Sequence, residues 1–268
     1  MSYKFGEQSW VQLQEHIDKQ SLLILPVGTT EEHGPHLPVD TDARIAEAYG
    51  DRLAAATEEA GLPVLLMDTV RYGYSMKIMR QWPGTITVRS RVFMDMIFDI
   101  CKSALDMGFS KLVIIDCHGH HSGPLNTVSR ELCDACDKAV AIITPVAFSS
   151  EVFSEIRKSV QGGAIHACEW ETSLVLHISP ELVDMSKATD CDIMRYHSEF
   201  VAGDAFQGKQ QVVWSTWYLQ PSKTGVYGDP TVAASETGAQ IMSAAVQNGV
   251  RFLKDYWNSS LSHTNDLT

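Results

Sequence analysis

The sequence predicts an α/β fold, with a layered, mainly parallel sheet covered by helices on both faces. Three observations carry that expectation. Short apolar runs alternate with longer stretches of helical periodicity along most of the chain. One run, Lys111-Leu-Val-Ile-Ile-Asp116, is apolar throughout its middle, as a centrally buried parallel strand requires. Two of the runs end in loops dense in carboxylates and imidazoles, which is where open parallel sheets collect their reactive groups.

Taken in order, residues 21–28 read as a buried strand, because Leu22-Leu-Ile-Leu25 is uninterrupted and Gly28 stops it. Residues 42–60 are Ala-rich and helical, ended by Gly61-Leu-Pro63, and 63–67 form a second strand. A helix over 92–107 ends at Gly108 and leads into the strand 111–116. Helix 122–138 and strand 139–145 follow, then an apolar helical face over 171–178 and a long helix over 231–256. Residues 181–230 are the least regular. With Trp214, Trp217, Tyr218 and Tyr227 among several glycines they resemble functional loops more than core. Neither a repeat nor a linker interrupts the pattern, so residues 1–257 are expected to be one domain and 258–268 a polar, flexible tail.

Charge narrows the function. A formal net charge of −12 repels nucleic acid and anionic membrane, so neither is expected as a partner, although a local basic site still admits an anionic substrate. The first residues lack an apolar core, and no run approaches the roughly 20 apolar residues of a membrane span, so a cytoplasmic protein with reduced thiols is expected. Cys133-Asp-Ala-Cys136 has redox-motif spacing but lies within an amphipathic stretch, and reads as helix-face cysteines.

Three clusters carry the chemistry. Glu31-Glu32-His33-Gly34-Pro35-His36-Leu37-Pro38-Val39-Asp40-Thr41-Asp42 follows the first strand, and its glycine and prolines keep it from becoming a helix. Residues two apart in an extended segment share a side, so Glu31 and His33 can serve neighbouring positions. Asp116-Cys117-His118-Gly119-His120-His121 ends the 111–116 strand, and the same spacing pairs His118 with His120, leaving His121 to face elsewhere. Carboxylates mixed with imidazoles suit zinc, manganese or iron(II). In the third cluster, His166-Ala-Cys-Glu169-Trp-Glu171-Thr-Ser173, His166 lies at or before a helix N-terminus, which would lower its pKa and keep it available as a base. Glu169 fits a first-turn helix acid as readily as a functional one, and Glu171 is undecided on the residues alone. The segment from Arg71 to Thr85 is rich in glycine, aromatics and cations, so Lys77 and Arg80 are candidate substrate contacts.

These stretches resemble the creatininase (creatinine amidohydrolase) family. The likeness lies in Pro26-Val-Gly-Thr-Thr-Glu31-Glu-His33-Gly-Pro-His-Leu-Pro-Val-Asp-Thr-Asp42, Trp82-Pro-Gly-Thr85, Asp116-Cys-His118-Gly-His-His, His166-Ala-Cys-Glu-Trp-Glu171-Thr-Ser173 and Gly225-Val-Tyr-Gly-Asp-Pro230, in family order. The resemblance implies a three-layer α/β/α sandwich, a homo-oligomer (often a hexamer), and two divalent metal ions (Zn, Mn or Fe) per subunit. It would make Glu31 and His118 ligands of one ion, His33 of the other and Asp42 the bridge. His166 would handle protons, and Glu171 would be a further ligand or acid/base. The chain departs from the Asn-Gly-His-Gly-Gly-Asn that family members commonly carry at Asp116–His121, and His120 stands where true creatininases place a ligating glutamate, so His120 is expected to ligate or to contact substrate. Creatinine itself is not the expected substrate.

The expected function is therefore hydrolysis. A binuclear metal-activated water would attack a carbonyl of a small polar cyclic substrate, either an amide or lactam, or a cyclic polyol diketone such as a keto-inositol. A metal-dependent isomerase and a non-catalytic, metal-stabilised oligomer are the alternatives.

Overall fold

The computed structural model describes residues 2–188, 192–208, 211–213 and 217–259. A four-stranded parallel sheet forms its centre: β1 (Leu22–Val27), β2 (Val64–Leu66), β3 (Lys111–Asp116) and β4 (Val140–Ile143), in the order β2-β1-β3-β4. β1 and β3 pair along their whole length, from Leu22 opposite Lys111 to Val27 opposite Asp116. Their carboxyl ends therefore finish side by side, and the two metal-capable loops leave the sheet next to each other.

Both faces of the sheet are covered, and side-chain alternation decides what each residue covers. Leu22, Ile24, Val113 and Ile115 pack toward α2 (Thr41–Glu59), α5 (Pro145–Ile156), α6 (Glu169–Ile178) and α7 (Ser235–Asn258). Leu23, Leu25, Leu112 and Ile114 pack toward α3 (Ser90–Met107) and α4 (Ser122–Cys136). Period-two partition of continuous apolar strands between two helical layers produces the expected α/β/α sandwich. Tyr49 and Tyr256, both buried, spend their hydroxyls on the backbone carbonyls of Ala245 and of Leu112 and Ala139, so the two large rings leave no polar atom stranded in the core.

Most element boundaries lie within a few residues of expectation, and β3 coincides with it. Two helices were not anticipated. α1 (Trp10–Asp18) starts from a capping box in which Ser9 and Gln12 exchange hydrogen bonds, and α5 from Thr144 with Pro145 in its first turn. The last helix begins at Ser235, after the Asp229–Pro230 turn, and runs through Asn258 into the stretch expected to be a tail; residues 260–268 lie outside the described residues. Beyond the main sheet, β5 (Ala164–His166) and β6 (Tyr227–Gly228) form a small antiparallel pair that links two of the sequence motifs. Cys133 and Cys136 both lie on α4, as expected, and both are free thiols. Among the described residues no helix is long and apolar enough to cross a membrane.

One glycine couples the sheet to the site. An added Cβ at Gly28, just past β1, would lie 2.4 Å from the Ala43 backbone, so only glycine lets the strand end pass this close to the first turn of α2, where Asp42 sits. Gly28→Ala is expected to cost about 1–3 kcal/mol through overpacking. Denaturant unfolding checks this, and an unchanged midpoint would mean that the strand end has room to shift.

Candidate metal centre

Glu31, His33, Asp42, His118, His120, His166 and Glu171 converge at the carboxyl ends of β1 and β3. Asp42 stands between two imidazoles: Oδ1 is 3.3 Å from His33 Nε2 and Oδ2 is 2.8 Å from His118 Nδ1. Glu31 faces three ring nitrogens, the same His118 Nδ1 at 3.6 Å, His120 Nδ1 at 3.8 Å and His166 Nδ1 at 3.7 Å. Glu171 approaches His33 Nε2 with Oε1 at 3.7 Å, while its Oε2 accepts the Cys168 backbone N–H at 3.3 Å and caps its own helix. Asp42 and Glu171 both lie in the first turn of a helix, α2 and α6, where the helix dipole favours a carboxylate.

The residues fit metal ions. Three overlapping groups have donor atoms close enough to share an ion: Glu31, His118 and His120; His33, Asp42 and Glu171; and Glu31, His33 and His166. Among the described residues, both oxygens of Glu31 and the Nε2 atoms of His33, His118 and His120 are buried without a hydrogen-bond partner. Each such group costs about 1–3 kcal/mol when left unsatisfied, so a fold that gathers five of them is built around something that satisfies them. The donor set of carboxylate oxygens and imidazole nitrogens suits zinc or manganese.

The electrostatics follow from the same convergence. Burial alone would lower the pKa of His118, but the charges of Glu31 and Asp42 outweigh it and raise it to about 9. His33 is likewise raised well above its ordinary value, against burial, by Asp42 and Glu171. Asp42 is held far below the usual carboxylate range, because His33 and His118 outweigh its burial; Glu171 is lowered in the same way by His33 and His166. His120 goes the other way. Burial and the neighbouring His118 and His166 push it down to about 2, so its neutral ring has a lone pair to offer an ion.

His166 corrects one expectation. It lies before the helix, as expected, at the end of β5, and Ala167, in the left-handed region at φ 51°, turns the chain from it into α6; its pKa is what differs. Burial and His33 press its pKa down, yet the hydrogen bond with Glu32 and the charge of Glu31 raise it overall, so the lowered pKa expected from a helix dipole is not what the fold delivers. Its Nε2 lies 2.8 Å from the Glu32 carbonyl and donates to it, which leaves Nδ1 facing the Glu31 carboxylate.

The remaining motif residues serve as supports. Thr85, of the Trp82–Thr85 motif, accepts the Glu32 N–H and donates to the Met79 carbonyl, tying that loop to the first cluster. Gly225, at φ +86°, leaves space for the Glu32 carboxylate, which an added Cβ would meet at 2.1 Å. Glu169 is structural: it is buried and accepts the backbone N–H groups of Lys158 and Ser159. His121 faces away from the cluster, stacked on Phe93 with Nε2 accepting the Tyr74 N–H.

Lys77 and Arg80 are exposed on a 3₁₀ turn, and the structure does not bring them into the carboxylate–imidazole cluster; the buried side chains of that turn are Ile78 and Met79. Two neighbours of the site were not singled out in the sequence. His36 is buried, hydrogen-bonded to Thr172 Oγ1 and pushed down to about 4 by burial and by His33. Trp217 packs its ring 5.2 Å from His120 and 6.2 Å from His166. Aromatic richness in the 181–230 segment was the only sign of it, and Trp214 lies outside the described residues.

The sequence matches the Creatininase family profile, described as creatinine amidohydrolase, over residues 6–253. It is 29% identical over 234 residues to the mycofactocin precursor peptide peptidase of Mycobacterium tuberculosis (strain CDC 1551 / Oshkosh), covering 85% of this chain and 83% of that one. It is 26% identical over 263 residues to the creatinine amidohydrolase of Pseudomonas putida, covering 90% and 92%, and 26% identical over 193 residues to the 3-dehydro-scyllo-inosose hydrolase of Thermotoga maritima, covering 70% and 60%. A manganese creatininase superposes with a TM-score of 0.78 at 22% identity, over 97% of this chain and all of that one. A putative creatinine amidohydrolase from Bacteroides fragilis reaches 0.80 at 22% identity, over 98% of this chain and all of its own.

The raised imidazoles make metal binding a proton-releasing event. The carboxylates that raise His33 and His118 favour their protonated forms, and an imidazole must be deprotonated to ligate. Because the folded pKa of His118 lies above its unfolded value of 6.5, its contribution to metal-free stability is full below pH 6.5 and is lost as pH rises through about 9. Calorimetric zinc titration at pH 7 in two buffers of different ionisation enthalpy should show release of about one proton or more per chain. Buffer-independent heats would contradict the assignment.

Proposed function

This chain belongs to the creatininase family, and from that premise we propose that it is a metal-dependent hydrolase that cleaves an amide C–N bond. The observation that carries the proposal is the position of Asp42, whose two carboxylate oxygens face His33 on one side and His118 on the other. In this reading Glu31 and His118, joined by His120, would hold one divalent ion. His33 and Glu171 would hold the second, and Asp42, facing both His33 and His118, would be shared between them. What two such ions supply when bound is a water acidic enough to attack at neutral pH and polarisation of the substrate carbonyl.

The chain's own groups do the rest. The Glu32 carbonyl fixes the His166 ring, so that Nδ1 is the atom presented to the reacting centre. From there His166 carries a proton to the departing nitrogen. Glu171, with Oε2 committed to its helix cap, offers Oε1 alone, a geometry that suits a ligand better than a mobile acid/base. Trp217, Met76 and Tyr227 wall the histidine side and limit water there.

Two of the relatives bear on the bond: one carries the name peptidase and one amidohydrolase, and both names favour C–N cleavage. The relative named 3-dehydro-scyllo-inosose hydrolase supports a second reading, hydrolytic ring opening of a cyclic polyol ketone. Creatinine is not proposed, since His120 stands where true creatininases place a ligating glutamate. Lys77 and Arg80, being exposed, support neither substrate. A homo-oligomer, expected as a hexamer, is part of the proposal; Trp10, 79% exposed on α1, is the kind of side chain such an interface would cover.

Metal analysis with turnover of a panel of linear amides, lactams, creatinine and keto-inositols tests the reading. About two ions per chain with amide cleavage supports it. Ring opening of a keto-inositol without amide cleavage would move the assignment to carbon–carbon hydrolysis. Asp42→Ala is expected to lose both ions, and retention of two would remove Asp42 as the bridge. His166→Ala should keep the metal content and lose about 10²- to 10⁴-fold in kcat, and an active variant would exclude its proton-handling role.

A further inference from the structure

We propose that the cavity beside the metal-capable groups is a side-chain pocket, and that the amide substrate carries a bulky apolar group next to the bond that breaks. The inference rests on the hydrolase reading and names the substrate class for the same site. The cavity measures about 210 Å³ and opens where β3, β4 and β5 end. Val146, Ile165, Trp170 and Phe206 form apolar walls, and His118 and Glu171 line it as well. Those last two belong to the metal-capable groups, so a group seated in the cavity brings its neighbouring carbonyl against the carboxylate–imidazole cluster.

Size and lining both select the occupant. A dry cavity of about 150 Å³ lined by aliphatic and aromatic side chains already accepts benzene, so this one takes a phenyl ring or a branched aliphatic chain. The Trp170 Nε1–H, the polar handle of the largest wall residue, is already donated to Ser149 Oγ at 3.1 Å. Asp116, Ser122 and Thr144 line the cavity too, but Asp116 accepts the His118 N–H, Ser122 donates to the Gly119 carbonyl and Thr144 accepts the Ala147 N–H, so a polyhydroxylated ring placed here would meet few uncommitted partners. Lys77 and Arg80, which would have favoured a charged or polyol substrate, are on an exposed turn and do not line the cavity. The step served is hydrolysis of R–CO–NH–R′. The water oxygen bonds to the carbonyl carbon, the C–N bond breaks, and the water's two protons pass to the departing nitrogen and the new carboxyl group.

The test compares acetamide, 4-methylvaleramide and phenylacetamide on the zinc-reconstituted chain, by calorimetric binding and by turnover. Phenylacetamide should bind at least ~tenfold more tightly than acetamide, as burial of an aromatic group predicts. Val146→Trp fills the cavity and should abolish the preference while leaving metal content unchanged. Val146→Ala, which keeps the fold if the larger residue does not, should shift the preference toward bulkier amides. Equal binding of acetamide and phenylacetamide, or an unchanged preference in the Val146→Ala variant, would overturn the pocket. Hydrolysis without apolar preference overturns the pocket and leaves the hydrolase reading standing. Apolar preference in binding with no amide hydrolysed supports the pocket and overturns the hydrolase reading.

Discussion

Everything near the carboxyl edge of the sheet depends on three acidic side chains, buried Glu31 and Asp42 and half-buried Glu171, set against imidazoles with no lysine or arginine among the ion pairs that join them. Burying carboxylates is expensive unless something neutralises them. The fold meets part of that cost by seating two of them in the first turns of α2 and α6. The rest falls to the histidines, two of which these carboxylates raise well above the ordinary imidazole value, and in the proposed metal-loaded form to cations. Gly28 and Gly225 make the convergence sterically feasible, the first by admitting α2 to the strand end and the second by clearing space for Glu32. The glycines of the motifs are therefore packing requirements of the charged cluster.

Much of this was legible in the sequence, for a physical reason. A continuous apolar run such as Lys111–Asp116 reads as a central parallel strand, and parallel strands deliver their following loops to one edge, where Glu31, His33, Asp42 and His118 can meet. The metal-capable groups contain all four. What the sequence hid was anything set by a partner distant along the chain. Glu169 is spoken for by the Lys158 and Ser159 amides, which no local pattern announces. The direction of the His166 shift depends on Glu31 and Glu32, over a hundred positions away, and local helix-dipole reasoning gives the opposite sign. Lys77 and Arg80 look functional in a glycine- and aromatic-rich loop, but the buried work of that loop is done by its apolar residues. The helices over Trp10–Asp18 and Pro145–Ile156 did have signals, a Ser9–Gln12 box and a Thr144–Pro145 start, but these caps carry little weight without a clear apolar period.

The site has two sides of different character. Toward Trp217, His120 and His166 it is aromatic and ring-lined; toward Val146, Trp170 and Phe206 it opens into an apolar hollow. Relatives named for a peptide, an inosose and creatinine share the family and its fold, so discrimination among such substrates must reside in surroundings of this kind and not in the shared cluster. His120 belongs to both descriptions, because it sits within donor distance of Glu31 and His118 and also against Trp217. A neutral imidazole at that position would leave one negative charge fewer around an ion held there than a glutamate would.

The central claim is that the cluster is one two-ion site with Asp42 between the ions. The most direct measurement is anomalous diffraction from crystals of the chain loaded with zinc or manganese. The account predicts two peaks separated by roughly 3.5–4 Å, one beside Glu31 and His118, the other beside His33 and Glu171, with an Asp42 oxygen on each. A single peak held by Glu31, His33 and His166, or no peak in the cluster at all, would contradict it.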